Sequence, residues 1–471
     1  MITQVPVPPA HLAELADIIG AQRMQTLLEA AAAAQQALGG RTVAHVNSTA
    51  TGGGVAEMLP TLIGYSVAAG INAPWYVLAG TPAFFAVTKR LHNRLHGHRG
   101  DSGALAAPEH AVYQEVAARG APGLLAALRP GDVAVLHDPQ TLGLAPVLRA
   151  HGVTVVWRCH IGVDTGNEIT AEAWEFLSPY LDAVRAFVFS RSQYRPSIID
   201  ERLVTVISPS LDPLSAKNVA LDDGEAAAVV RYCGLVGEPT GAPPTFVRRD
   251  GSAGVVLRRA QMIQLAPPPG DEPLVVQVSR WDKLKDMPGV ITGFADHVAT
   301  TGSGHLVLAG PDVSSVSDDP EGAIELEHCQ RVWAALPAEQ RRRVHLACLP
   351  TDDVEENALM VNALQRHAAV VCQKSLAEGF GLTVVEAMWK ARPVVASAVG
   401  GIRDQIDDGL SGVLLRDPTD LAAFGSLVRD LLDDPQRACR IGAAAAERAG
   451  VDFLPDRHLR QWAALISDVV S

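Results

Sequence analysis

Lys374-Ser375-Leu376-Ala377-Glu378-Gly379-Phe380-Gly381-Leu382-Thr383-Val384-Val385-Glu386-Ala387 follows directly on an apolar run, Val370 to Cys372, that reads as a buried strand. Gly379 and Gly381 permit a turn whose amides point outward. Leu382 and Thr383 open a helix, and the positive end of a helix favours a diphosphate. Seven residues stand between Glu378 and Glu386. One lies before the turn and one in the first helical turn, so both can line one pocket. A carboxylate accepts two hydroxyl donors, which suits a sugar or a ribose. The spacing has a second reading, because Thr383-x-x-Glu386 also matches a helix capping box.

Working outward, strand and helix patterns alternate along the chain. Apolar runs at Thr42 to Val46, Trp75 to Leu78, Val133 to His137, Val153 to Arg158 and Phe187 to Ser190 predict one parallel sheet. Leu274 to Ser279, His305 to Ala309, Val344 to Leu346, Val370 to Cys372 and Pro393 to Ala396 predict a second. A linker is expected at Ser208-Pro209-Ser210-Leu211-Asp212-Pro213. The expected class is α/β with two Rossmann-like domains: 1–210 together with a last helix in 453–471, and 211–452. Residues 11–38 read as one helix closed by Gly39-Gly40, and the Gly/Pro/Arg-rich segment 234–271 as an insertion or long loop. Ligands of such sheets bind beyond the carboxyl ends of the strands.

At 471 residues the chain exceeds what one core usually serves, so two domains are the natural prior. A net charge of -13 argues against a nucleic-acid backbone as partner. The six cysteines form no C-x-x-C pair or zinc spacing, which suits a reducing compartment. Met1 to Ala10 shows no secretory pattern, so a cytoplasmic location is expected. Met58 to Thr88 lacks charge, but glycines and prolines interrupt it, and a buried helix, turn and strand explain it better than a membrane span.

Three further constellations sit after strands. Gly52-Gly53-Gly54-Val55 allows close backbone approach to a phosphate or sugar hydroxyl, or is simply a tight turn. Glu57 occupies the third glycine position of the dinucleotide fingerprint, which lowers a dehydrogenase reading. Arg280 and Lys285, in Ser279-Arg280-Trp281-Asp282-Lys283-Leu284-Lys285, could neutralise a leaving diphosphate, or belong to a solvated charged loop. His160 could bond a sugar hydroxyl or shuttle a proton, or be structural, and His137-Asp138-Pro139-Gln140 could line the same site. No D-x-D pair stands at a strand end, so no metal is expected.

The Glu378–Glu386 block with Arg280 and Lys285 upstream resembles the retaining GT-B glycosyltransferases of family GT4. Within that family, Asn47-Ser48-Thr49, Gly52 to Glu57, His137 to Gln140, Arg158 to Ile161, Ser208 to Pro213 and Val278 to Asp282 are similar to the trehalose glycosyltransferring synthases. The resemblance implies transfer of glucose from a nucleoside-diphosphate glucose to free glucose, with no metal or other cofactor. It implies catalytic roles for His160, Arg280, Lys285 and Glu378. Gly53, Gly54, Gly379, Phe380, Gly381, Leu382, Thr383 and Glu386 would bind the donor, and Asn47, Gly52, Asp138 and Gln140 the acceptor. Its partners would be small sugars, without nucleic acid or integral membrane association, and a homodimer is compatible with it. Three alternatives remain: another acceptor (a sugar phosphate or an aglycone), a trehalose phosphorylase-type reaction, and a sugar-nucleotide-binding regulator.

Overall fold

The computed structural model describes residues 1–50, 54–300, 302–313 and 320–471. The chain divides into two compact units, Met1–Ser210 with Phe453–Ser471, and Leu211–Asp452.

The first unit is built on seven strands: β1 (Ile2–Val5), β2 (Val43–Asn47), β3 (Trp75–Leu78), β4 (Val133–His137), β5 (Thr154–Cys159), β6 (Ala186–Phe189) and β7 (Val204–Val206). They lie in the order β1-β3-β2-β4-β5-β6-β7. All pairs are parallel except β1 on β3. The strands are continuous apolar runs because both faces of the sheet are covered by helices. One face carries Ala44, Val46, Leu136, Trp157 and Cys159 into a large core. The chain reverses its strand order between β2 and β4, the topological switch point at which such sheets bind ligands.

The terminal helix Pro455–Val470 packs on Ala21–Leu38. Arg23 donates twice to the buried Asp456 carboxylate, at 2.9 and 2.6 Å, and Arg41 to the Val470 carbonyl at 3.2 Å. The single helix expected over 11–38 is two, Leu12–Ile19 and Ala21–Leu38. Gly20 between them has φ +82, a left-handed conformation that a residue without a Cβ adopts freely. The charge-free stretch is the rest of helix Gly54–Ala68, then β3, then the start of helix Pro82–Leu95. Among the described residues no helix is long and apolar enough to cross a membrane.

In the second unit a hairpin, β8 (Thr245–Val247) with β9 (Ala253–Val255), precedes β10 (Gln261–Ile263). The main sheet adds β11 (Leu274–Val278), β12 (His305–Pro311), β13 (Val344–Leu349), β14 (Val370–Gln373), β15 (Val394–Ser397) and β16 (Val413–Leu415). Its order is β10-β13-β12-β11-β14-β15-β16, parallel apart from β10 on β13. The switch point lies between β11 and β14. Segment 234–271 is therefore not a plain loop. It holds the hairpin and an edge strand, tied down by Arg248 to Asp353 and by Arg258 to Glu356, each with a 2.5 Å contact. Glu356 is buried and also accepts the amides of Leu257 and Arg258, at 2.7 and 2.6 Å.

Candidate active site

In the second unit the polar residues gather at the β11/β14 switch point. Beyond β11, Trp281 is buried and donates its indole N–H to the Pro311 carbonyl at 2.8 Å. The turn Lys283–Lys285 starts at Asp282, whose carboxylate accepts the Leu284 amide at 2.8 Å. This turn brings Lys285 Nζ to 2.5 Å from Glu378 Oε1. Gln373, the last residue of β14, organises the rest. Its Nε2 lies 3.1, 3.0 and 3.1 Å from Ser279 Oγ, Ser375 Oγ and Glu378 Oε1, sharing its two protons among them, and its Oε1 accepts from Thr383 at 3.1 Å. Ser375 adds a 2.9 Å bond to the same Glu378 oxygen. Beneath them Lys374, 1 % exposed, is paired with Asp286. Arg280 stands apart from this cluster. Its side chain is 52 % exposed and contacts Asp282 at 3.2 Å.

Gly381 has φ +87 and caps helix Leu382–Trp389 without a side-chain bond. The capping-box alternative is overturned by this geometry. Thr383 is already inside the helix and gives its hydroxyl to Gln373. Glu386 is the fifth helical residue, one turn further in than the sequence suggested. Its carboxylate is buried: Oε1 is 3.5 Å from Lys217 Nζ, and Oε2 has no hydrogen-bond partner among the described residues. Behind it Lys390 is enclosed by Gln365, Asn218 and the Glu386 carbonyl, and burial lowers its pKa to about 7. The turn Gly379–Gly381 rests on Gly401, where a Cβ would fall 2.7 Å from the Phe380 Cα.

In the first unit the candidates sit around the β2/β4 switch point. Gly52 and Gly53 lie outside the described residues, and Gly54 is the exposed first residue of helix Gly54–Ala68. Asn47 ends β2 with its amide engaged on both sides, accepting from Trp75 at 2.8 Å and donating to the Thr49 carbonyl at 2.6 Å. Asp138 follows β4 with φ +60, a left-handed position uncommon for a residue with a Cβ. Its carboxylate accepts the His160 amide at 2.7 Å. Burial raises the Asp138 pKa to about 7 against the opposing pull of that amide and of Arg158. Arg158 is fully buried. Among the described residues its guanidinium finds one partner, Ser190 Oγ at 3.2 Å from Nη2, and burial lowers its pKa to about 9. Gln140 Oε1 is buried without a partner among the described residues.

The structure thus joins Lys285, Glu378 and Thr383 in one network, and His160 with Asp138 in another. Sequence reasoning missed Gln373, Ser375, Lys217, Lys390 and His45. Gln373 carried a signal: a lone amide closing an apolar strand just before a glycine turn. Among the described residues no group of three or more His, Cys, Asp or Glu side chains is placed to hold a metal ion.

Residues 45–196 match the family described as "Trehalose synthase, N-terminal domain", and residues 259–448 match "Glycosyl transferases group 1". The chain is 34 % identical over 458 residues to trehalose synthase of Rubrobacter xylanophilus, covering 96 % of each chain. The chain belongs to the trehalose synthase family. Trehalose synthase of Pyrococcus horikoshii is 32 % identical over 458 residues, covering 97 % of this chain and 96 % of that one. Among solved structures, a UDP-forming α,α-trehalose-phosphate synthase from Burkholderia xenovorans superposes with a TM-score of 0.66 at 17 % identity, covering 92 % and 99 % of the chains. That likeness shows the fold, GT-B, and this trehalose synthase family member is a glycosyltransferase.

Proposed function

We propose that the protein transfers glucose from a nucleoside-diphosphate glucose to free glucose, giving trehalose with retained configuration. The observation that carries this reading is the network at the β11/β14 switch point. There a left-handed glycine turn, a helix start and Lys285 converge on Glu378. An ammonium has three protons, and Lys285 spends one on Glu378, so two remain for phosphate oxygens. Lys285 and Arg280 would stabilise the diphosphate with the helix-start amides of Leu382 and Thr383. Glu378 and the turn Gly379–Gly381 would hold the donor sugar. Glu386, with one buried oxygen unpartnered among the described residues, would take the ribose hydroxyls.

His160 would bond the donor sugar beside the reacting carbon. Asn47, Gly52, Asp138 and Gln140 would meet the acceptor, and Gly53 and Gly54 the donor. With no enzymic nucleophile assigned, the reaction runs on one face of the sugar. The bond from the anomeric carbon to the diphosphate breaks while the bond to the acceptor oxygen forms on the same face. The acceptor proton passes to the departing phosphate. No metal is assigned a part, and the setting would be cytoplasmic, with small sugars as partners.

The test is a donor scan with ADP-, UDP- and GDP-glucose plus free glucose, without added metal, with products read by mass and anomeric NMR. Trehalose and a nucleoside diphosphate should form together from at least one donor. Trehalose turnover that needs inorganic phosphate instead, or glucosylation of sugar phosphates alone, would replace this reading.

A further inference from the structure

His45, His137 and His160 come from neighbouring strands, on the side of the first sheet opposite Ala44, Val46, Leu136 and Trp157. His45 lies in β2, His137 ends β4 and His160 follows β5. Their rings form a row. His45 Nδ1 is 3.0 Å from His137 Nε2, and His137 Nδ1 is 3.2 Å from His160 Nε2. Successive rings lie nearly parallel, with centroids 5.3 and 5.6 Å apart at 27° and 15°. His45 and His137 are 3 % and 1 % exposed.

A neutral imidazole has one N–H and one lone pair. Each contact in the row therefore needs one ring to give and the next to take. If His160 donates from Nε2, His137 must donate on to His45, and if His45 donates first, every bond reverses. The outer nitrogen, His160 Nδ1, is a lone pair in the first state and an N–H in the second. The groups around the row keep it neutral. Burial holds His137 and His160 well below the ordinary histidine range, and Arg158 and His458 push the same way. Burial takes His45 to about 4. Asp138 bonds the His160 backbone, not its ring. Helix Pro455–Val470 adds His458, which takes the Trp462 indole N–H at 3.0 Å and gives its own to Ser210 at 2.9 Å. Trp462 meets the His45 ring edge-on.

We infer that His45 and His137 are positioning residues for His160, the three imidazoles forming one hydrogen-bonded row that fixes the His160 ring plane and sets whether its Nδ1 gives or takes a bond. The inference rests on the proposal that His160 touches the donor sugar. Reversal takes one proton in at His160 Nδ1 and one out at His45 Nε2, and the row then serves a hydroxyl in either sense without stranding a buried N–H between rings.

The test uses two replacements of His137 that each keep one half of the row. In His137→Asn the amide reproduces the position of Nδ1 and keeps the bond to His160. In His137→Gln it reproduces Nε2 and keeps the bond to His45. His137→Gln, which loses the bond to His160, should lower kcat about 10-fold with little change in donor KM, while His137→Asn, which keeps that bond and loses only His45, should lower it about 3-fold. In a His160→Ala background His137→Gln should cost nothing more. Equal losses in the two variants, or an undiminished loss in the His160→Ala background, would overturn the row. A slow His160→Ala enzyme beside a fully active His137→Gln enzyme refutes the row alone. Full activity of His160→Ala refutes the reading of His160 on which it rests. Should the variants fail to fold, imidazole ¹⁵N spectra of the wild type decide. His45, His137, His160 and His458 should stay neutral at about pH 5.5, and a row that protonates there is refuted.

Discussion

The two sheets finish their switch points with different chemistry. In the first unit three imidazoles are bonded in sequence and held neutral by burial, beside the buried Asp138 and Arg158. In the second they are ammonium and carboxylate groups, Lys285 on Glu378 and Lys374 on Asp286, joined by the Gln373 amide. A neutral row bonds hydroxyls and is indifferent to charge. A cationic cluster with a helix start is matched to an anion. Under the proposed reading the first surface would serve an uncharged sugar and the second a pyrophosphate, and the difference lies in a handful of side chains around the two switch points.

Three experiments would break or sharpen this contrast. Lys285→Ala should have the largest effect, a loss of about 10²–10³-fold in kcat, because a donor aimed at developing charge is removed. Steady-state kinetics in both substrates checks it, and an unchanged kcat with a raised acceptor KM would dissolve the distinction. Lys374→Met should come next, at about 3 kcal/mol of stability. It leaves Asp286 without its buried partner, and the cost sits at the lower end of the range because that carboxylate is a fifth exposed. Urea unfolding measures it, and a change below about 1 kcal/mol would mean the pair is incidental.

Acidification is the gentlest probe and tests the first unit. A histidine whose folded pKa lies below its unfolded value contributes fully above about pH 6.5. Below that, the unfolded chain takes up a proton that the folded chain refuses. His45 alone should therefore cost about 1.4 kcal/mol per pH unit between about pH 6.5 and its folded value of about 4. His137, His160 and His458 act in the same direction. Urea midpoints should fall from pH 7.5 to 5.5, and the fall should shrink in His137→Asn. A midpoint that holds steady would show that the folded chain takes up protons at the same pH as the unfolded one, so that burial does not hold the row neutral.

Much of this was legible from residue order alone. Continuous apolar strands between amphipathic helices announced two parallel sheets, and the block Glu378 to Glu386 marked the end of β14 as the place to look. What resisted was anything that depends on two strands lying side by side. His45 looks like one polar residue inside an apolar strand until β4 is laid next to β2. The hairpin at Thr245–Val247 and Ala253–Val255 has strands too short for an alternating pattern, and ion pairs to distant residues hold it in place. The Thr383 and Glu386 spacing fitted two accounts equally well, and only the hydroxyl's bond to Gln373 separated them.

The helix Pro455–Val470 has a consequence for biogenesis. It belongs to the first unit, yet a ribosome must translate all of Leu211–Asp452 before it emerges. Until then the nascent first sheet lacks Trp462 against His45, His458 against Ser210, and the Asp456 anchor for Arg23. The earlier-made half therefore matures after the later-made one has begun to fold, and its uncovered face is a natural client for a chaperone in the interval.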